Sequence, residues 1–220
     1  MSGMLRKLRI VLVFAIASSA LAARKPDGSL SAAPVAALSV ADALKAFHMQ
    51  PGYSLEPVLT EPHISEPVVA VFDGNGRMFV AEMRTYMQDA DATGEQSPKS
   101  RISLHEDTNG DGEYDKHTVF IGELLLPRMI LALRKGELLV NETNTQDIWL
   151  YRDTDGDGVA DKKTLWYEGG KRGGNMEHQQ SGMIWAQDNW MYFTYNAWRL
   201  RWNGYDNPPL KEKTSPNGGQ

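Results

Sequence analysis

No cysteine occurs anywhere in the 220 residues. That absence excludes a disulfide framework and a thiolate zinc site. It also excludes covalent haem attachment through a CxxCH motif within this stretch. Long apolar runs are nearly missing as well. The longest lies at the N-terminus, where Arg6, Lys7 and Arg9 precede an apolar stretch from Ile10 to Ala17 and a small-x-small site at Ala20-Leu21-Ala22. This is the pattern of a secretory signal. A membrane anchor is the competing reading, but the run is short for a span of about 20 residues. Cleavage after about Ala22 and a secreted or periplasmic mature protein are expected. Positive charge is scarce too. The formal charge is −5, and losing Arg6, Lys7 and Arg9 takes 23 basic residues to 20 against 28 acidic ones, or −8. An acidic chain argues against nucleic acid as a partner.

What the chain has instead is an echo. Residues 101–123 read RISLHEDTNGDGEYDKHTVFIGE and residues 147–169 read DIWLYRDTDGDGVADKKTLWYEG, offset by 46 without a gap and identical at ten positions. Each copy is a short alternating apolar run, an Asp/Gly-rich turn, and a run containing Thr and aromatics. That reads as strand, tight loop, strand. Hairpins recurring with a period in the forties predict repeated sheets set side by side, as in a β-propeller.

The rest of the chain fits between the echoes. Residues 23–38 are Ala, Ser and Pro with little else, a flexible leader. Ser39 can cap a short helix over Val40 to Met49 that Pro51-Gly52 stops. Three further hairpins are predicted at 68–82, 131–143 and 183–195, turning at Asp73–Gly76, Lys135-Gly136 and Asp188-Asn189. Residues 83–100 are polar without a strand pattern, a long loop over one face. The expected domains are therefore a signal peptide (1–22), a leader (23–38), a short helix (39–50) and an incomplete β-propeller domain (51–220). The fold class is all-β, a partial propeller of about three to four blades built as antiparallel meanders. A propeller removes its sheet edges by closing on itself, so the N-terminal part of a longer protein is expected.

Four groups of residues could carry chemistry. The acidic loops place oxygens at Asp107, Asn109, Asp111 and Asp115, and at Asp153, Asp155, Asp157 and Asp161, with Gly112 and Gly158 at the sixth position. Such spacing suits calcium, a hard cation that wants several oxygens on a tightly curved backbone. The twelfth position, normally a bidentate Glu, is Thr118 or Thr164. The other reading is an acidic turn whose carboxylates accept local backbone hydrogen bonds. Next, His178 and Glu177 follow a glycine-rich approach (Gly169, Gly170, Gly173, Gly174). An imidazole there is a candidate general base, because its pKa lies near working pH, or simply a loop hydrogen-bonding group. Strand alternation past residue 82 would bring Glu82, Arg84 and Tyr86 to one side as a polar-substrate site, unless Glu82 and Arg84 form a solvated ion pair. Finally, Trp185, Trp190, Trp198 and Trp202 with Tyr192, Phe193 and Tyr195 read as packing between blades, or as a stacking platform for a sugar or quinone ring.

Taken in order, PGYSLEPVLTEPHISEPVVAVFDGNGRMFVAEMRTY, RISLHEDTNGDGEYDKHTVF, YRDTDGDGVADKKTLW and NMEHQQSGMIWAQDNWMY resemble the planctomycete-type membrane-bound dehydrogenase domain. This is a glucose/sorbosone dehydrogenase-like β-propeller group often followed by a haem-binding cytochrome c domain. The resemblance spans about residues 40–200. It implies a PQQ-dependent dehydrogenase oxidising a sugar or alcohol, with electrons passing to a cytochrome c partner or domain. Haem c would be present only if the full-length protein has a CxxCH domain. It further implies that His178, in the HQQSG segment at 178–182, takes the substrate hydroxyl proton. The alternative is a non-catalytic, calcium-stabilised propeller that binds a polysaccharide or a protein.

Overall fold

The computed structural model describes residues 36–172, 176–194 and 198–214. The signal segment, most of the leader, Gly173, Gly174, Asn175 and Tyr195 lie outside the described residues. The chain divides into two compact units, Met1–Gln50 and Pro51–Gln220. In the first, Ser39 caps helix α1 (Val40–Ala46), its hydroxyl accepting the Asp42 N–H. The helix is shorter than its apolar spacing predicts, because Phe47 is already extended and Pro51-Gly52 has nothing left to stop. No described helix is long and apolar enough to cross a membrane.

The second unit is all-β. Strands β1 (Pro67–Phe72), β2 (Met78–Glu82), β3 (Ser100–Glu106) and β4 (Lys116–Leu124) form one antiparallel meander. A second contains β5 (Met129–Ala132), β6 (Glu137–Asn141), β7 (Ile148–Arg152) and β8 (Lys162–Tyr167). A third contains β9 (Ile184–Trp185), β10 (Met191–Tyr192), β11 (Trp198–Arg201) and β12 (Leu210–Lys213). Each sheet is one blade, so the described residues supply three blades of a partial propeller. The echoed segments are the outer hairpins β3–β4 and β7–β8 of successive blades.

Alternation along β6 explains how the blades stack. All five of its residues are buried. Leu138 and Val140 point to one face and join Phe79, Ile102, Leu104 and Phe120 of the first blade. Leu139 points to the other and joins Met191, Phe193 and Leu200 of the third. A sheet covered on both faces loses the hydrophobic-in, polar-out pattern and reads as a continuous apolar run. Each such side chain contributes about 1.5–3 kcal/mol by leaving water, so the two seams between blades are the core.

Because every blade is a meander, its loops fall on two faces. On the turn face lie the tight turns at 73–77, 133–136 and 186–190 and the outer loops 107–115, 153–161 and 202–209. The connectors 83–99, 125–128 and 142–147, with 168–172 and 176–183, lie on the other. Hydrogen bonds tie the connectors to one another. The Asn144 side chain donates to Gln96 (2.8 Å), the Asn144 N–H donates to Gln179 (3.0 Å), and Arg128 donates to the Met176 carbonyl.

Candidate functional site on the connector face

His178 is exposed on this face, with Glu177 beside it and also exposed. The segment is held from both sides. The His178 carbonyl accepts from the Arg172 guanidinium at 3.1 Å. Gln179 is buried and locked to Asn144, its side-chain oxygen on the Asn144 N–H and its amide 3.4 Å from the Asn144 side-chain oxygen. Underneath, Asp147 Oδ1 accepts both the Gly169 and Gly170 N–H groups at 2.8 Å. This carboxylate draws the glycine-rich approach against the 142–147 connector. A fixed backbone with an outward imidazole is what a proton-transferring group needs.

Glu82, Arg84 and Tyr86 do not converge as strand alternation would have them. Strand β2 stops at Glu82, and Met83–Tyr86 form a turn in which the Tyr86 N–H donates to the Met83 carbonyl at 3.1 Å. Glu82 is wholly buried, accepting Arg101 Nε at 2.8 Å and the Ser65 N–H at 3.0 Å. The carboxylate pairs with Arg101 across the sheet, while Arg84 is exposed. Tyr86 lies instead within electrostatic reach of Arg128.

Arg128 went unrecognised in the sequence. It donates to Thr143 Oγ1 at 2.8 Å and to the Met176 carbonyl. Burial pulls its pKa below the usual guanidinium value, and Tyr86 and Glu95 pull it back. It remains a cation, half-buried where three connectors meet. Its only signal is its place in the short link between blades, LLLPRM. A second unrecognised group is a histidine cluster in the first blade. His105 Nδ1 lies 2.9 Å from His117 Nδ1, and the His63 ring stacks on His117 at 3.8 Å between centroids. Here a signal was available, because a hairpin turning about Asp111 puts 105 opposite 117.

The acidic loops are built alike. Asp107 accepts the N–H groups of Gly110 and Gly112 at 2.6 and 2.9 Å, and Asp153 those of Gly156 and Gly158 at 2.7 and 3.0 Å. Asn109 and Asp111 accept from backbone two residues on, as do Asp155 and Asp157. Asp115 and Asp161 turn to Thr108 and Thr154, accepting their N–H and hydroxyl groups. Those bonds hold both carboxyls below the usual pKa. In the second loop, carboxylate oxygens of Asp153, Asp155 and Asp157 lie within 4.8 Å of one another.

The aromatic segment is mostly not core. Phe193 is buried, whereas Trp185 is 42% exposed and Trp190 and Trp198 are covered by cations. Arg199 sits 4.5 Å from the Trp190 ring centroid and Lys211 4.4 Å from that of Trp198. The apolar packing at this seam comes from Met183, Met191 and Leu200.

Stacked four-stranded meanders with polar loops gathered on two faces define a partial β-propeller. The chain belongs to the family described as a domain of unknown function, DUF7133, which it matches over residues 39–205. No curated protein matches the sequence. Among solved structures, it is similar to the holo form of the PQQ domain of pyranose dehydrogenase from Coprinopsis cinerea. That likeness has 12% identity and a TM-score of 0.45, over 66% of this chain and 30% of that one. It is also similar to a candidate gluconolactonase, with 16% identity and a TM-score of 0.43, over 68% of this chain and 48% of that one. The chain thus spans less than half the length of either.

Proposed function

We propose that the chain is the part of an exported, quinoprotein-like dehydrogenase propeller that presents the catalytic base, oxidising a sugar or alcohol and passing electrons to a cytochrome c partner or domain. The observation that supports this is the placement of His178, an exposed imidazole on a segment clamped by Arg172, Asn144 and Asp147. His178 takes the proton of the substrate hydroxyl at a ring nitrogen, and Glu177 and Arg84 offer hydrogen bonds to the remaining hydroxyls. PQQ is a polyanion, and the connector face suits one in supplying the guanidiniums of Arg84, Arg128 and Arg172. When bound, the quinone supplies the electron-accepting step. Glu82, buried on Arg101, supports the wall behind this face. PQQ-dependent dye reduction by the full-length protein tests the proposal. His178→Ala should abolish it, and a variant as active as the wild type would overturn the assignment.

A second reading rests on the clustered carboxylates of Asp153, Asp155 and Asp157. In it the acidic loops bind calcium, the equivalent first-loop donors being Asp107, Asn109 and Asp111, and the metal stabilises a scaffold that binds a polysaccharide or protein without catalysis. Asp115 and Asp161 then brace the loops through their threonines. A melting temperature that drops on chelation and recovers with calcium, with no dye reduction at any PQQ concentration, favours it over the first.

A further inference from the structure

The seam between the second and third blades opens into two adjoining cavities, which run from the turn face toward the connector end of β8. One, of about 320 Å3, is lined by Trp185, Trp202, Tyr205, Leu133, Arg134 and Glu137. The other, of about 480 Å3, shares Tyr205 and takes in Trp166, Asp206 and Asn207. Volumes of this order suit small-ligand sites. The walls are preorganised. Tyr205 donates its hydroxyl to Glu137 at 2.8 Å, Arg134 Nε donates to the same carboxylate at 2.9 Å, and the Arg134 guanidinium lies 4.7 Å from the Tyr205 ring centroid. Trp202 stacks on Trp166 at 5.8 Å and 16° and meets Tyr205 edge-on at 5.1 Å.

Two further observations point to a ligand. Trp166 is only 5% exposed, yet its indole N–H has no acceptor among the described residues. Arg152 Nε, whose guanidinium lies over the other cavity-wall ring, Tyr205, at 5.2 Å, has none either. Buried donors are ordinarily paired. Trp185, meanwhile, leaves a large aromatic surface in solvent. A ligand that covers an indole face and also brings acceptors to unpaired N–H groups must be apolar on one side and rich in oxygen at its edge. Pyranose rings have that character. Arg134 and Arg152 are balanced by Glu137, Glu168 and Asp206 around the cavities, which disfavours an anionic ligand such as a nucleotide. Two cavities in a row suit several linked rings.

We propose that this seam is a binding site for a neutral oligosaccharide, with Trp185 and Trp202 as the stacking surfaces and Glu137 and Trp166 as the polar contacts. Neither cavity is lined by a residue of the segment that carries His178, so the two proposals can fail separately. The test is calorimetric titration of the full chain with cellohexaose, xylohexaose and maltohexaose, and with polygalacturonate as the anionic arm. At least one neutral hexasaccharide should bind. Trp185→Ala, at an exposed position that leaves the fold intact, should weaken it about tenfold, Trp185→Phe should restore most of that, and His178→Ala should leave it unchanged. Absence of binding by all three neutral probes, preference for polygalacturonate, or unaltered affinity in Trp185→Ala would each overturn the proposal.

Discussion

Acidification should loosen the first blade through His105. This side chain is wholly buried between β3 and β4. Its Nε2 lies 2.8 Å from Ser103 Oγ, and the Ser103 hydroxyl in turn reaches the Val80 carbonyl at 3.5 Å. Serine therefore accepts from His105 Nε2–H, leaving Nδ1 to accept from His117. A second proton on His105 would break that contact. Burial, reinforced by the charges of His117, His63 and Arg101 and opposed by Glu82, lowers its pKa from 6.5 to about 4. The unfolded chain takes up the proton near the ordinary value and the folded chain only near the lowered one, so between them the unfolded state holds more protons and stability is lost as the pH drops. At about 1.4 kcal/mol per pH unit, the loss reaches about 3 kcal/mol on full titration, a large share of the roughly 5–15 kcal/mol that holds a domain folded. His117, lowered by burial and by His63 against the pull of Asp115, adds in the same direction. Urea unfolding at pH values from 7 to 4 measures the loss directly. His105→Gln keeps an amide for Ser103 but cannot titrate. The difference between the two curves isolates the imidazole. The variant should be less stable at pH 7 and its stability should depend less on pH, by about 3 kcal/mol across the range. Parallel curves for the two proteins would refute the reasoning.

Four other substitutions test the same geometry. Glu82→Ala strands the Arg101 guanidinium and the Ser65 N–H, and should cost about 3–5 kcal/mol in urea unfolding. Gly169→Ala puts a Cβ against the Gln146 backbone and should cost about 1–3 kcal/mol. Gly76→Ala, at positive φ with open space around it, should cost only about 1–2 kcal/mol, and a larger loss there would undo the steric argument. Asp153→Ala frees the Gly156 and Gly158 N–H groups and should lower stability by about 1–2 kcal/mol even in chelator, since those bonds need no cation. A loss seen only with calcium present would assign the residue to the metal alone.

The hairpins were legible because their signals are local. Asp73-Gly74-Asn75-Gly76 makes a turn wherever it occurs, and Asp73 fixes it by accepting the N–H groups of Asn75 and Arg77. The 46-residue echo was legible because β3–β4 and β7–β8 are the same hairpin in two blades. What the sequence hid depends on partners far along the chain. Nothing near Glu82 announces Arg101, 19 residues on, and β2 ends just where alternation would have carried Arg84 and Tyr86 alongside. Arg128 gains meaning only once Thr143 and Met176 arrive from two other connectors. The aromatics of the third blade divide: Phe193 and Trp202 pack at the seam as their composition suggests, whereas Trp190 and Trp198 settle under Arg199 and Lys211.

The difference between the blades suggests why the faces diverge. On the turn face the second acidic loop reaches back over the first blade. Gly158 lies against Thr118 and Leu104, and the Ala160 N–H donates to the Phe120 carbonyl at 2.9 Å. The first loop, with the same DTxGDG sequence, makes its contact within its own blade, the Tyr114 hydroxyl donating to the Gly76 carbonyl at 3.2 Å. The third blade has no such loop. Its 202–209 segment crosses the seam through two rings, Trp202 stacked on Trp166 and Tyr205 with its hydroxyl on Glu137. Rigid rings pin two sheets without filling all the space beside them, so the cavities at this seam lie around aromatic struts where the other seam has an acidic loop. On the connector face, where links of different lengths meet through single side chains such as Asn144 and Arg128, no repeat is imposed. There each position is released from the steric demand that the tight turns share.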